Sequence, residues 1–308
     1  MATPENIRRI FCHFTAILVV TVWGSTFVFT KILLLHGLTA AQVFILRFII
    51  AYALMWVFFI TRKPRRLFAS SLKDELLMLA LGITGGSLYF LTENTALNYT
   101  ATTNTSLIVC QCPLFAALLI AFFHKSERLR PVQIAGSLIA AAGVVVVVLN
   151  GHFVLHLSPL GDALALAACL CWAVYSLLII SANKRYDAVF ITRKVFFYGL
   201  LSMIPYLIVY PEMPPMNILL KPEIIWNLIF LGAVASLLCF LAWNWIMKQL
   251  GAIYASNYLY LNPVVTILFA WALLSEQITF YFLIGTALIL IGMFLADRKI
   301  PKSDCAQR

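Results

Sequence analysis

The second half of this chain repeats the first. Ser106 and Pro113 reappear 150 positions later as Ser256 and Pro263, and after one residue of slippage Glu127, Gly136 and Gly143 reappear 149 positions on as Glu276, Gly285 and Gly292. Trp23 matches Trp172 at the shorter offset and Asn94 matches Asn244 at the longer one. A duplication on this scale confines the fold to two copies of one architecture packed together. It also singles out the interface between the copies as the place where paired residues converge.

Composition says which solvent the copies fold in. Of the 308 residues 63% are hydrophobic and 11% charged, and the mean hydropathy is +0.95. A soluble domain has about 45–50% apolar and about 25% charged residues, so this chain belongs in a bilayer. Apolar stretches of the roughly 20 residues that a hydrocarbon core requires fall near 13–35, 40–61, 76–98, 104–124 and 131–150, then near 160–182, 192–210, 224–248, 254–275 and 278–297. The predicted fold is an all-α polytopic membrane protein of ten transmembrane helices in two five-helix repeats. Residues 1–12 form the N-terminal segment, 13–150 the first repeat, 151–159 a linker, 160–297 the second repeat and 298–308 a tail. Segments this long and uniformly apolar are unlike the short alternating strands of a membrane β-barrel. The apolar run after Arg9 leads straight into a second span, so no cleavable leader is expected.

Basic residues orient the spans. Of the 22 Lys and Arg, 19 fall on one side: at the N-terminus, around Arg62–Lys73, Lys125–Arg130 and Lys184–Lys194, at Lys248, and in the tail from Arg298. The other side has Lys221 alone. Both termini are therefore expected in the cytoplasm, with the linker outside. Five spans per repeat is an odd number, so the second copy enters from the opposite face and the repeat is inverted about an axis in the membrane plane. The net charge of +10 is accounted for by this topology, and no nucleic-acid partner is expected.

Of the seven cysteines, Cys110, Cys112, Cys169, Cys171 and Cys239 fall inside spans. Cys-x-Cys on a helix points its thiols about 200° apart, which suits packing rather than a metal site. There is no Walker motif, no His-Glu-x-x-His and no Gly-x-Ser-x-Gly, so neither an enzyme nor a cofactor is expected.

Several local signatures coincide: Trp23-Gly24-Ser25-Thr26-Phe27 in span 1, Arg47-Phe48 in span 2, Asn94 to Thr100 at the end of span 3, Pro113 leading to Glu127, Pro263 leading to Glu276, and the paired glycines of spans 5 and 10. Together they resemble the EamA-type branch of the drug/metabolite transporter superfamily over nearly the whole chain. The resemblance implies ten helices in two inverted halves, with helices 3, 4, 8 and 9 central and a substrate cavity between the halves. It further implies export of small metabolites, often amino acids, at the cell membrane. Small multidrug pumps of that superfamily carry a glutamate in the first span, where this chain has Lys31. That departure weighs against simple exchange of cationic drugs for protons. A multidrug or cationic-compound carrier remains the alternative. A channel would need a ring of like charge or a carbonyl filter, and neither is visible.

Three ionisable residues lie inside spans: Lys31, Arg47 and Glu93. A charge at membrane depth normally faces protein or a water-filled cavity. Lys31 is near a span end, where snorkelling is the plain alternative, and it is expected to help Arg47 attract the acidic group of a substrate. Arg47 is deeper, and Glu93 is the one carboxylate within the spans, either paired to a cation or carrying a proton. Two cations against one carboxylate leave positive charge that a substrate carboxylate or phosphate would neutralise. Neither Lys31 nor Glu93 has a charged repeat match, since Ile180 and Trp243 stand there. Gly82, Gly86, Tyr89 and Glu93 share one helical face, matched by Ser236, Cys239, Phe240 and Trp243; Trp23 and Thr26 share another, matched by Trp172 and Tyr175. Asn94 and Asn244 complete the paired set. Pro113 and Pro263 are expected to break spans 4 and 9, with Gln111 and Asn262 beside them as hydrogen-bonding candidates. The expected partners are a small-molecule substrate, protons as a candidate coupling ion, and the lipid bilayer; oligomeric state is left open.

Overall fold

A computed structural model of the chain describes residues 4–61, 66–99, 105, 108–123, 131–149, 158–211, 213–274 and 280–296. The expectations at Ser106, Glu127 and Glu276, most of the 151–159 linker and the tail from Arg298 lie outside these residues. Among the described residues the regular elements are helices, without strands. In the first half they are α1 (Pro4–Leu35), α2 (Ala40–Thr61), α3 (Leu72–Gly82), a π-helical segment (Ile83–Ser87), α4 (Leu88–Tyr99), α5 (Cys112–Phe123) and α6 (Pro131–Leu149). In the second half they are α7 (Pro159–Asn183), α8 (Ala188–Leu201), α9 (Ile204–Val209), α10 (Met216–Leu219), α11 (Pro222–Ile229), a longer π-helical segment (Phe230–Leu238) and α12 (Cys239–Leu250). They continue with α13 (Ala252–Asn257), a 3-10 turn (Tyr258–Leu261), α14 (Asn262–Leu274) and α15 (Phe280–Ala296).

Among the described residues six stretches are long and apolar enough to cross a bilayer: Ile10–Leu35, Ala40–Val57, Leu72–Tyr99, Pro159–Asn183, Ala188–Val209 and Pro222–Leu250. Shorter apolar helices run over Cys112–Phe123, Pro131–Val146 and Phe280–Ala296. Large apolar side chains such as Phe14, Phe122, Trp226 and Phe294 project outward from these helices, a surface suited to lipid rather than water.

Local chemistry sets the helix ends. Ser71 accepts from the Asp74 N–H at 3.2 Å and starts α3, while Ser158 precedes Pro159 at the start of α7. Asp187 accepts from the Phe190 N–H at 2.8 Å and starts α8 at residue 188. That cap begins the helix before the position expected from hydropathy. Arg193 and Lys194, read as loop residues, therefore lie inside α8 and are buried. There Arg193 donates to the Arg66 and Leu67 carbonyls at 2.9 and 2.8 Å, and Lys194 pairs with Glu75 at 2.7 Å. The span expected to run unbroken over 192–210 is interrupted between α8 and α9, where Pro205 lacks the N–H that would continue the ladder. Gly37, at φ 91°, turns the chain out of α1, and Gly251, at φ 92°, turns it between α12 and α13.

The two halves are entwined. α1 packs along α12 and α14 of the second half, and its repeat match α7 packs along α4 and α5 of the first. Likewise α2 lies on the second π segment, and α8 on α3 and the first π segment. Each half thus lends its first two helices to the other. The main core cluster is accordingly drawn from both halves, from Phe44, Phe48 and Phe90 to Trp172, Phe196 and Phe240. α6 and α15, themselves repeat matches, cross at their glycines: a Cβ on Gly136 would stand 2.5 Å from Ala296 N, and one on Gly292 2.3 Å from Ala140 N.

Candidate functional site

A cavity opens between the halves, with about 500 Å³ of empty space when its mouth is included. Trp23, Thr26 and Phe27 of α1, Arg47 of α2, Tyr89, Phe90 and Glu93 of α4, and Val109 and Cys112 line it from the first half. Trp172 of α7, Phe240 of α12, Leu259 of the 3-10 turn and Asn262 of α14 line it from the second.

The wall is built on the second π segment. A π-helical stretch disturbs the regular i→i−4 ladder and changes which main-chain groups are free to bond elsewhere. Here Trp23 donates its indole Nε1–H to the Ala235 carbonyl at 2.9 Å, inside that segment. The next residue, Ser236, accepts from Arg47 Nε at 2.9 Å. The guanidinium stands 4.3 Å from the centre of the Phe90 ring, a contact favourable to a cation in an apolar wall. Arg47 is only 2% exposed, and among the described residues its two terminal nitrogens form no hydrogen bond with protein. Glu93 accepts from the Tyr89 hydroxyl at 2.8 Å and forms no ion pair with Arg47 or Lys31. The cavity therefore holds one cation and one carboxylate, close enough to sense each other's charge and not joined.

The remaining surface is aromatic. Trp23 packs edge-on against Trp172 at 5.5 Å, against Phe240 at 5.8 Å, and tilted against Trp243 at 5.0 Å. Tyr89 meets Trp172 at 5.2 Å. Among the described residues Trp172 Nε1 and Asn262 Oδ1 are buried without a hydrogen-bonding partner. In hydrocarbon such a group is costly.

Eight of the residues singled out from sequence meet at this wall: Trp23, Thr26, Arg47, Tyr89, Glu93, Trp172, Phe240 and Asn262. The others lie elsewhere. Lys31 donates to the Leu97 carbonyl at 3.0 Å, near the C-terminal end of α4, where a cation suits the free carbonyls. Asn94 donates to the Ala40 carbonyl at 3.3 Å. Trp243 is fully buried behind Trp23. Tyr175 donates to Asn244 Oδ1 at 2.5 Å and Asn244 donates to Thr192 at 2.8 Å, which knots α7, α12 and α8 one helical turn beyond Trp172 and Phe240. Gln111 sits in the turn before α5 with its Nε2 buried and unpartnered. Pro113 and Pro263 occupy the first turns of α5 and α14, where a helix has no donor to lose. The break in each rod precedes its proline.

Residue patterns missed Phe27, Phe90, Val109, Cys112 and Leu259 on the wall. Phe90, beside Tyr89 and three residues before Glu93, was within reach of a helical-face argument. Leu259 was not, because it reaches the cavity only through the 3-10 turn.

Duplicated halves that exchange helices around a mixed polar and aromatic cavity, carried on membrane-length apolar helices, define a multi-pass membrane protein of the transporter class. The family model described as the EamA-like transporter family matches the chain twice, over residues 10–149 and 159–296, and the chain belongs to that family. An "Uncharacterized transporter" of Archaeoglobus fulgidus is 29% identical over 93% of this chain and 97% of its own. A "Probable amino-acid metabolite efflux pump" of Escherichia coli is 27% identical over 91% of this chain and 92% of its own. A "Probable terminal-alkyne amino-acid exporter" of Streptantibioticus cattleyicolor is 27% identical over 73% and 74%. A solved crystal structure superposes with a TM-score of 0.72 at 22% identity, covering 93% of this chain and 95% of that one, which speaks to the fold.

Proposed function

We propose that this chain is a secondary transporter that exports a small carboxylate-bearing metabolite, an amino acid or a related solute, by alternating access. In this reading ten helices span the cell (inner) membrane with both termini in the cytoplasm, and the cavity is the substrate site. One observation carries the choice of substrate class: Arg47 reaches the cavity with its terminal nitrogens unpaired, in a wall otherwise mostly aromatic and apolar. A guanidinium offers a carboxylate two parallel hydrogen bonds, and lysine does not reproduce that geometry. Trp23, Trp172, Tyr89 and Phe240 would pack the organic part. The names of the relatives in Escherichia coli and Streptantibioticus cattleyicolor point to the same class.

The test is binding to the purified protein by thermal shift, screened over amino acids and related carboxylates, with Arg47→Lys and Arg47→Gln beside the unaltered chain. A true ligand raises the melting temperature. Arg47→Lys is expected to weaken carboxylate binding about tenfold and Arg47→Gln more, which corresponds to roughly 1.4 kcal/mol or above. A folded Arg47→Gln protein that binds and transports the carboxylate normally would overturn the assignment.

A further inference from the structure

We infer that Glu93 is a proton-binding site whose occupancy follows the charge of the solute at Arg47; the inference rests on the cavity reading above. Glu93 is 8% exposed, lines the cavity, and has Tyr89 as its hydrogen-bonding partner. The groups facing it can be named element by element. From α2 comes Arg47, from its own helix Tyr89, and from the start of α5 Cys112, with Cys110 just before it. Lys31 of α1 is turned away to the Leu97 carbonyl, and α7 contributes the uncharged Trp172. Thiols and phenols ordinarily titrate above about pH 8. With Glu93 ionised, the charge of the empty cavity is therefore the balance of Arg47 against Glu93, which is zero.

A buried site in a bilayer protein resists a net charge. A monocarboxylate at Arg47 brings one negative charge and leaves Glu93 without its counter-charge. The cavity returns to neutrality when Glu93 takes one proton from water and its carboxylate becomes the neutral acid. A zwitterion brings its own ammonium to the same cavity and leaves that proton unneeded. Glu93 thus couples proton binding to simple acids and not to amino acids, and an acid carried with its proton moves without net charge.

The test uses the purified full chain with two probes of similar shape, phenylacetate and phenylalanine, in weakly buffered solution with a pH indicator. The expected result is uptake of about one proton per bound phenylacetate somewhere between about pH 5 and pH 8, with phenylacetate affinity rising about tenfold for each unit of acidification in that window. Phenylalanine takes up none. Glu93→Gln, fixed in the neutral form at every pH, loses both the uptake and the pH slope of phenylacetate binding. Should that variant fail to fold, Glu93→Asp keeps a titratable carboxyl and is expected to retain the uptake, and the contrast between the two probes in the unaltered chain decides alone. Phenylacetate binding with no proton uptake across this range overturns the inference and leaves the substrate reading intact. Binding of neither probe overturns the substrate reading and the inference together.

Discussion

Trp23 and Trp172 hold matching positions in the two halves, yet their indole N–H groups have opposite fates. Trp23 donates to the Ala235 carbonyl, whereas Trp172 has no partner among the described residues. The residue matched to Ala235 is Gly85, and the ring of Tyr175 crowds it: a Cβ there would stand 2.2 Å from Tyr175 Cδ2. The same side chain is thus a structural anchor in one half and an unsatisfied donor on the cavity wall in the other. Phenylalanine substitution separates the two roles, because it keeps the ring and removes the N–H. Trp23→Phe strands a buried carbonyl and is expected to cost about 1–3 kcal/mol of stability. Trp172→Phe removes a group that is already unpaired and is expected to leave stability unchanged or slightly raised, while weakening solute binding. Thermal unfolding in detergent with and without solute reads both. Equal destabilisation by the two substitutions would mean that the asymmetry has no energetic weight. Sequence gave both tryptophans and their pairing, but nothing in it distinguishes the bonded one from the free one. That difference depends on what lies across the helix interface.

Among the elements, the rods of the bundle are not uniform. The third rod of each half contains a π-helical segment, over Ile83–Ser87 and Phe230–Leu238, at matching places in the repeat. Glycine-rich ITGGS in one copy and FLGAVASLL in the other share little that marks a π segment, so its presence was not legible beforehand. The glycines of α6 and α15 were legible as a packing motif, and the structure shows how tight the crossing is. Gly136 meets the backbone around Gly292 and Ala296, and Gly143 meets the backbone around Gly285 and Ile289, as a two-fold relation between matched helices requires. Backbone on both sides leaves nothing flexible to move aside. Gly136→Ala and Gly292→Ala are each expected to destabilise the fold by about 1–3 kcal/mol. Gly86→Ala, whose new Cβ would find its nearest neighbour at 3.5 Å, is expected to cost less. Thermal unfolding of the three variants checks the order, and a Gly86→Ala protein less stable than the other two would contradict it.

For the whole molecule, the entwining of the halves makes their matched contacts comparable. At the end of the bundle holding Lys194 and Lys248, the chain is tied together by Lys194 with Glu75, Arg185 with Asp74, and Lys248 with the Tyr186 carbonyl. Between that end and the cavity lies the fully buried knot of Tyr175, Asn244 and Thr192. Its repeat match on the other side of the cavity is not knotted: among the described residues the buried Asn94 donates to the Ala40 carbonyl, and Thr26 bonds to the Trp23 carbonyl in its own helix. In the alternating access proposed above, the two ends of an inverted repeat exchange roles. Asn244→Ala is therefore expected to loosen the closed end and to speed reaction of a small thiol reagent with an Ile179→Cys reporter, a position now fully buried. Asn94→Ala is expected to leave that rate nearly unchanged. Equal rates in both backgrounds would remove the knot from the gating scheme.

Much of this protein was fixed by order and polarity along the chain. A bilayer leaves backbone groups no partner but each other, so long apolar segments must become helices. The offset of about 150 residues then forced two copies of one half. Charged and aromatic residues at membrane depth stood out for the same solvation reason, which is how Arg47, Glu93, Trp23 and Trp172 could be named before any contact was known. Tertiary structure alone decided which of them share a cavity. Lys31, as conspicuous in sequence as Arg47, proved to bind the end of α4. Asn244 proved to be a cross-brace, and Leu259 a wall residue. The physical reason is that hydropathy depends on each residue's own solvation. The end to which a long side chain reaches, and whether its hydrogen bonds are already taken, depend on neighbours brought in from the other half of the chain.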